Sequence, residues 1–163
     1  MKKMTADDLD LAFHLLSKDT ERYAAICDDF IRQHPDSPDG YYCRHNVWVR
    51  KRDWDKALSD LNANLILDPR AFSYIARGEV LHQAGRYAAA IEDFNRGEAL
   101  DRKEWLWGFG PIRRAECYAR TGNLRAALAD CQDIEDDHWT PGVAGIIPGD
   151  KAAIIAEIKR LAR

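Results

Sequence analysis

The chain has 163 residues, of which 46% are hydrophobic and 31% charged, and its formal net charge at pH 7 is −3. A chain of this length can bury something like ~70% of its unfolded surface, which is enough for a stable core without metals or disulfides. The 24 basic and 27 acidic residues are spread evenly along the chain, which argues against a broad nucleic-acid-binding surface.

The first residues do not resemble a targeting segment. Lys2 and Lys3 are followed by Asp7, Asp8 and Asp10 rather than by an apolar stretch, so we expect no secretory signal. No apolar run reaches membrane-spanning length. We therefore expect a cytoplasmic protein that interacts with no membrane.

Residues 5–37 are predicted to form a first, degenerate helix pair. Pro35 lies 34 residues before Pro69, so this segment has the length of the units that follow it. It contains few of the residues that mark those later units.

The middle of the chain repeats itself at a nearly fixed period. A step of 33 residues carries Tyr41 to Tyr74, Trp48 to Leu81, Trp54 to Tyr87, Ala57 to Ala90, Leu61 to Phe94 and Asp68 to Asp101. A further step of 37 residues carries four of these places to Tyr118, Leu124, Ala127 and Cys131. Self-similarity of this length is typical of a solenoid of stacked helix pairs.

Residues 71–104 show the helix pattern most clearly. Gly85 can adopt the left-handed conformation that ends a helix. Gly78 and Ala90 lie where the two helices of the unit are expected to cross, and their small size allows a close approach. Asp53 and Asn123 each stand just before the second helix of a unit and are predicted N-caps.

These residues resemble the tetratricopeptide repeat (TPR), a helix pair of ~34 residues. The clearest unit has the aromatic, small and turn residues of that repeat at the right spacings: Tyr74, Gly78, Leu81, Gly85, Tyr87, Ala90 and Phe94. The preceding unit has His45 where a small residue is usual and Arg52 where glycine is usual. The third unit has Pro111 in place of the opening aromatic residue, so its first helix is expected to begin near that proline.

The resemblance implies an all-α fold, namely a single-domain, right-handed α-solenoid of stacked antiparallel helix pairs with almost no strand. After the degenerate pair we expect repeats at residues 38–70, 71–104 and 108–137, a loop at 138–149 and a capping helix at 150–163. Asp150 is the predicted N-cap of that last helix. Its apolar face would cover the open end of the solenoid, and it consists of Ile154, Ile155, Ile158 and Leu161.

Two segments interrupt the repeat, residues 104–110 and residues 136–149. Between them they contain Trp105, Trp107 and Trp139. The tryptophans either pack within the protein or form a patch for a partner, because clustered aromatic residues are common interface anchors. A second copy of the chain would be one such partner, so a homodimer is possible.

The sequence contains no recognisable set of catalytic residues, no phosphate-binding loop and no HExxH motif. The four cysteines, at positions 27, 43, 117 and 131, lack metal-binding spacing and are expected to be small buried thiols. A run of acidic residues is interpreted as a solvated helix end: Asp130, Asp133, Glu135, Asp136 and Asp137, followed by His138. We therefore expect no enzymatic activity, no cofactor and no metal.

The resemblance also implies a concave groove lined by the first helix of each repeat. The matching positions are aromatic, polar and cationic, and we expect them to bind a partner: Tyr42, Asn46, Arg50, Phe72, Glu79, His82, Phe109, Arg113, Glu116 and Arg120. Chaperone-binding members hold a carboxylate with five basic and amide residues. Only Asn46 and Arg113 match that set, so recognition of a chaperone's C-terminal peptide is not expected.

Arginines outnumber glutamates on this surface by three to two, which favours a partner segment with carboxylates. The alternative is that Arg50, Arg113 and Arg120 are solvated or are paired internally with Glu79 and Glu116.

Together these features predict a non-enzymatic module that binds a protein or peptide, such as an adaptor, an assembly factor or a toxin-neutralising partner, with no nucleic-acid ligand. The alternative is a structural protein that associates with itself through the tryptophan-rich loops.

Overall fold

The structure is a computed structural model that describes residues 4–107, 109–140 and 146–163, without the side chain of Trp107. The chain divides into two compact units, Met1–Pro69 and Arg70–Arg163. No helix in the described part of the chain has the length and apolar composition needed to cross a membrane.

Unit 1 consists of helices, and its described bounds are α1 Ala6–Ala12, α2 Leu15–Lys18, α3 Thr20–Gln33, α4 Pro38–Arg50 and α5 Trp54–Leu67. The first helix expected between residues 5 and 37 is divided into α1 and α2. Thr5 and Asp8 cap α1 reciprocally, each side chain accepting from the other's backbone N–H. The buried core below these helices contains Leu9, Ala12, Tyr23, Cys27, Phe30 and Val47.

Unit 2 begins with the helix pair α6 Ala71–Gln83 and α7 Tyr87–Leu100, followed by the short helix α8 Arg102–Trp107. The next pair is α9 Gly110–Arg120 and α10 Leu124–Asp130, extended by a 3₁₀ turn at Cys131–Asp133. A final helix, α11, spans Lys151–Leu161. The start of α9 beside Pro111 confirms the predicted beginning of that helix.

Two short strands lie within the segment where a loop and almost no strand were expected. Strand β1, Trp139–Thr140, pairs antiparallel with β2, Gly149–Asp150. Each strand has two residues, and a pairing this short leaves no alternation of apolar and polar residues in the sequence. Residues 141–145 lie outside the described chain.

The turns between paired helices have the same backbone geometry in both units. Arg52, Gly85 and Gly122 all have positive φ angles, of 57°, 74° and 80°. In each turn the next residue donates its N–H to a carbonyl five residues earlier, as Asp53 does to Trp48 over 2.9 Å. The prediction for Gly85 is confirmed, and Arg52 adopts the same conformation although it is not glycine.

The predicted helix crossing in residues 71–104 is also confirmed. Ala90 is fully buried, and a Cβ atom added to Gly78 would lie 2.6 Å from the ring of Phe94. Because that distance is far shorter than van der Waals contact, glycine is the residue that allows α6 and α7 to approach this closely. Asp53 and Asn123 accept N–H groups of α5 and α10, as predicted for N-caps.

Three helix pairs contain an ion pair of the same geometry between an arginine and a buried aspartate, which we call the Arg–Asp clamp. An arginine on the first helix contacts an aspartate 16 residues later on the second helix: Arg44 with Asp60, Arg77 with Asp93, and Arg114 with Asp130. In each clamp Nε and one Nη donate to the two carboxylate oxygens over 2.7–2.9 Å. This bidentate contact fixes the position of one helix along the other.

Helix α11 packs against α9 and α10, so its apolar face lies on the last helix pair of unit 2. Asp150 accepts the N–H of Ala153 and caps the helix as predicted. The core formed here includes Ile112, Ala115, Ala127, Ile134, Ile146, Ile154 and Ile158.

Candidate functional site

The predicted site residues fall in both units. In unit 2 the first helices α6 and α9 pack together and carry five of them: Glu79, His82, Arg113, Glu116 and Arg120. In unit 1, helix α4 carries Tyr42, Asn46 and Arg50.

The five residues of unit 2 form two neighbouring groups of polar contacts, which we together call the α6–α9 network. Glu79 Oε1 on α6 lies 2.9 Å from Arg113 Nη1 on α9. His82 Nε2 on α6 lies 3.0 Å from Glu116 Oε2 on α9. Arg120, one turn after Glu116, donates from Nε to Oε1 of that carboxylate over 2.8 Å. The helices therefore hold these side chains in a fixed arrangement across their boundary.

Burial differs along the network. His82 and Glu116 are buried, Glu79 is half-buried, and Arg120 is exposed. The ring of Tyr87 lies edge-on to His82, with centroids 5.9 Å apart, and the guanidinium of Arg120 lies 5.3 Å from the same ring. The network thus has a buried centre and one cation, Arg120, at the surface.

Two carboxyl groups in the network have pKa values shifted in opposite directions. Burial raises the pKa of Glu79, although the positive charge of Arg113 opposes that shift. Burial also acts to raise the pKa of Glu116, but contacts from His82 and Arg120 outweigh it and hold that pKa below its ordinary value. Glu116 is therefore ionised, and its two carboxylate oxygens contact His82 and Arg120.

The internal pairing of Arg113 and Arg120 corresponds to the alternative interpretation of the cationic surface. Each has a glutamate partner, so their positive charge is partly neutralised within the protein. Arg50 also has an internal contact, since Nη2 donates to the carbonyl of Ser17 over 3.2 Å. A simple excess of three arginines over two glutamates therefore overstates the charge that a partner would meet.

The remaining predicted residues have local contacts. Asn46 Nδ2 donates to the carbonyl of Tyr42 over 3.2 Å. The guanidinium of Arg70 lies 4.8 Å from the ring of Phe72. Phe109 precedes α9, and its ring lies edge-on to His138 at the border of a separate cleft.

Solved structures with a similar arrangement of helices are TPR proteins. The match to YrrB, described as "a TPR protein with an unusual peptide-binding site", has a TM-score of 0.66 at 21% identity and covers 79% of this chain. It covers 66% of the YrrB chain, just under two thirds of its length.

Two MamA structures give similar values. The MamA D159K mutant matches 80% of this chain and 76% of its own, with a TM-score of 0.64 and 20% identity. MamA 41-end from Desulfovibrio magneticus RS-1 matches 78% of this chain and 72% of its own, with a TM-score of 0.66 and 18% identity.

The chain has the TPR-like fold. Identities of 18–21% show the fold alone. No protein-family model and no curated protein sequence matches the chain.

Within this TPR-like fold, Trp105 follows the first of the two alternatives for the tryptophans and packs within the protein. Trp105 is fully buried, with its ring 5.4 Å from that of Phe94 and 4.6 Å from the guanidinium of Arg114. The role of Trp105 as a contact for a partner is therefore wrong, because its ring fills the interior beneath α8. Trp139 is 67% exposed, and the side chain of Trp107 lies outside the described residues.

The interpretation of the acidic run as a solvated helix end is wrong for Asp130. This residue is buried and belongs to the third Arg–Asp clamp. Asp133 accepts two bonds of 2.9 Å from Arg102 Nη2, whereas Asp136 and Asp137 are exposed. The spacing of 16 residues that recurs in all three clamps was the sequence signal that could have identified Asp130.

Proposed function

We propose that the protein is a non-enzymatic module that binds a segment of a protein or peptide, with the α6–α9 network at the centre of its binding face. The TPR-like fold supports this proposal, since stacked helix pairs present extended surfaces on rigid elements. The description of YrrB as having a peptide-binding site, which concerns that protein, is consistent with it.

The observation that carries the proposal is the fixed position of Arg113 and Arg120 on α9. Their pairing with Glu79 and Glu116 holds each guanidinium in one orientation before any partner arrives. Binding then costs less side-chain entropy than it would at a mobile arginine. An adaptor, an assembly factor or a toxin-neutralising partner would each use such a face.

We further propose that the bound segment carries a carboxylate. Arg120 is exposed, and among the described residues its partner in hydrogen bonding is Glu116, which uses Nε alone. A guanidinium has five N–H donors, so its Nη groups can donate to a carboxylate of the partner without breaking the existing contact. Tyr42, Asn46 and Arg50 in unit 1 remain a separate prediction.

The double variant Arg113→Ala with Arg120→Ala tests this proposal. We expect capture of binding proteins on the immobilised chain to fall about tenfold or more, and its dependence on salt to weaken, because charged anchors are removed. The captured proteins are quantified by mass spectrometry over a series of salt concentrations.

The matched control is Arg125→Ala with Arg163→Ala, which removes the same charge at two exposed arginines. This control should capture the same proteins as the unchanged chain. Capture that survives the first double variant but is abolished by Trp139→Ala would place the site at the exposed tryptophan and contradict the proposal. Circular dichroism confirms that each variant is folded.

A further inference from the structure

A cleft of about 860 Å³ lies beside the inserted helix α8 in unit 2, and we call it the α8 cleft. Its walls come from three segments: α8 with the preceding Asp101, the start of α9, and the chain from Asp133 at the end of the 3₁₀ turn to His138. Cavities of ~300–1,000 Å³ are the usual size of ligand-binding pockets. Among the described residues that line it there is no member of the α6–α9 network.

Apolar side chains form part of this cleft. Leu106 on α8 is 41% exposed, Phe109 is half-buried, and Ile112 and Ile134 are buried beneath them. The exposed part of Leu106 and Phe109 offers a surface against which a bulky apolar side chain would pack. Removing such a side chain from water favours binding.

Four carboxylates also line the α8 cleft, from Asp101, Glu104, Asp133 and Glu135, against one lysine, Lys103. Asp101 accepts the N–H of Glu104, and Asp133 is held by Arg102. Glu104 and Glu135 have no ion-pair partner within the described ranges 4–107, 109–140 and 146–163. The cleft therefore presents uncompensated negative charge beside its apolar surface.

Helix α8 is held firmly in place by Trp105. A Cβ atom added to Gly110 would lie 2.1 Å from the Trp105 ring, so the indole packs directly on the backbone at the start of α9. The same indole stacks near the guanidinium of Arg114. The wall of the cleft formed by α8 is thus anchored to the core, and a ligand would meet a preformed surface.

Two features of the cleft wall are unusual for a surface without a ligand. Phe109 has φ 59° and ψ 21°, the left-handed conformation that is unfavourable for a bulky residue. Nε2 of His138 is buried and has no hydrogen-bond partner among the residues that the structure describes. Backbone strain and unpaired buried polar atoms concentrate at functional sites.

We propose that the α8 cleft binds a segment of a partner protein in which a bulky apolar side chain is flanked by lysine or arginine. The apolar side chain packs against Leu106 and Phe109, and the flanking cations pair with Glu104 and Glu135. This is a second binding site, with a charge preference opposite to that of the α6–α9 network. It does not depend on the function proposed above.

Three labelled peptides with Gly-Ser flanks test this site by fluorescence anisotropy: one with a Lys-Phe-Lys core, one with Glu-Phe-Glu and one with Lys-Ser-Lys. We expect the Lys-Phe-Lys peptide to bind the full chain about tenfold more tightly than either other peptide, since each lacks one of the two interactions. Equal binding of all three, or no binding of Lys-Phe-Lys at about 1 mM, would overturn the proposal.

Variants locate the binding. Glu104→Lys with Glu135→Lys should weaken Lys-Phe-Lys binding about tenfold or more and favour the Glu-Phe-Glu peptide, because two negative charges of the cleft are replaced by positive ones. Leu106→Asn should weaken both phenylalanine peptides. The matched control, Glu92→Lys with Asp36→Lys, makes the same charge change at exposed residues outside the cleft and should bind like the unchanged chain.

Three further outcomes are informative. Arg113→Ala with Arg120→Ala should leave Lys-Phe-Lys binding unchanged, which separates this site from the α6–α9 network. Light scattering that shows a dimer dispersed by Leu106→Asn would identify a second copy of the chain as the occupant and overturn the proposal. Retained Lys-Phe-Lys binding in the Glu104 and Glu135 variant would also overturn it.

Discussion

The helix pairs α4–α5 and α6–α7 have equal lengths, 13 and 14 residues, but differ at matched positions inside and at the turn. His45 and Leu61 in the first pair correspond to Gly78 and Phe94 in the second. In α4–α5 the first helix carries the larger side chain, His45, opposite Leu61. In α6–α7 the first helix carries Gly78, and the second helix carries the larger Phe94. All four of these positions are buried.

This difference shows which parts of the repeat can vary. Core volume is exchanged between the two helices, and the turn accepts Arg52 in place of Gly85 with the same left-handed backbone. The Arg–Asp clamp and the hydrogen bonds of the turn are unchanged. The conserved geometry therefore lies in polar contacts, while the apolar residues adjust around them.

The largest expected effect comes from breaking the clamp in each pair. Asp60→Ala and Asp93→Ala should each lower the free energy of unfolding by roughly 3 kcal/mol, because each removes both clamp acceptors of a half-buried guanidinium, although Arg44 keeps its contact with Asp28. The loss should be larger for Asp60, which also accepts from Trp48 Nε1 over 2.9 Å. Urea denaturation followed by circular dichroism measures both, with the exposed Asp36→Ala as control. Losses below about 1 kcal/mol would mean that the clamps act as surface ion pairs.

A second difference concerns pH, because His45 in the first pair stands where Gly78 stands in the second. Burial lowers the pKa of His45 from 6.5 to about 4, although the Tyr42 carbonyl and the charge of Asp60 oppose the shift. Below pH 6.5 the unfolded chain gains this proton and the folded chain does not until about pH 4, so stability falls across that window. The loss should reach about 3 kcal/mol.

The pH effect is measured as the free energy of unfolding between pH 7 and pH 4. His45→Gln should remove the part of the slope due to this residue. His14→Gln, at an exposed histidine, should leave the slope unchanged. Equal slopes in the unchanged chain and the His45 variant would show that the imidazole is protonated within the fold.

The smallest effect is expected at the turn. Arg52→Gly should raise the free energy of unfolding by about 1 kcal/mol, since the left-handed conformation costs a non-glycine residue more than glycine loses in chain entropy. Gly85→Arg should have the opposite effect of similar size. Lys51→Gly is the control, because Lys51 has φ −80° and gains nothing from glycine. Stabilisation by Lys51→Gly as well would indicate a cause other than the backbone angle of Arg52.

Much of the fold could be predicted from the sequence, because its signals are local and recur. Spaced aromatic and small residues placed the paired helices α4 to α7, α9 and α10, and the side chains of Asp53, Asn123 and Asp150 marked the first turns of α5, α10 and α11. Helix α8 could not be predicted in the same way. Its position depends on Trp105 packing against Gly110 and Phe94, contacts that form only in the folded protein.

The candidate site was less predictable than the fold. Helical spacing brought Glu79, His82, Arg113, Glu116 and Arg120 together in one network, but it could not show that the arginines pair within the protein. That outcome depends on distances between α6 and α9. The position of Phe109 was misleading for the same reason, since its left-handed backbone directs its ring towards His138 at the α8 cleft.

The Arg–Asp clamps have a further consequence for the response of the protein to heat. The hydration of charged groups becomes less favourable as temperature rises, so the cost of burying a guanidinium and a carboxylate decreases. The stabilisation per Å² of buried apolar surface levels off over the same range. The three clamps should therefore supply a growing share of the free energy of unfolding on warming. The helix pairs that they join should be the last to separate.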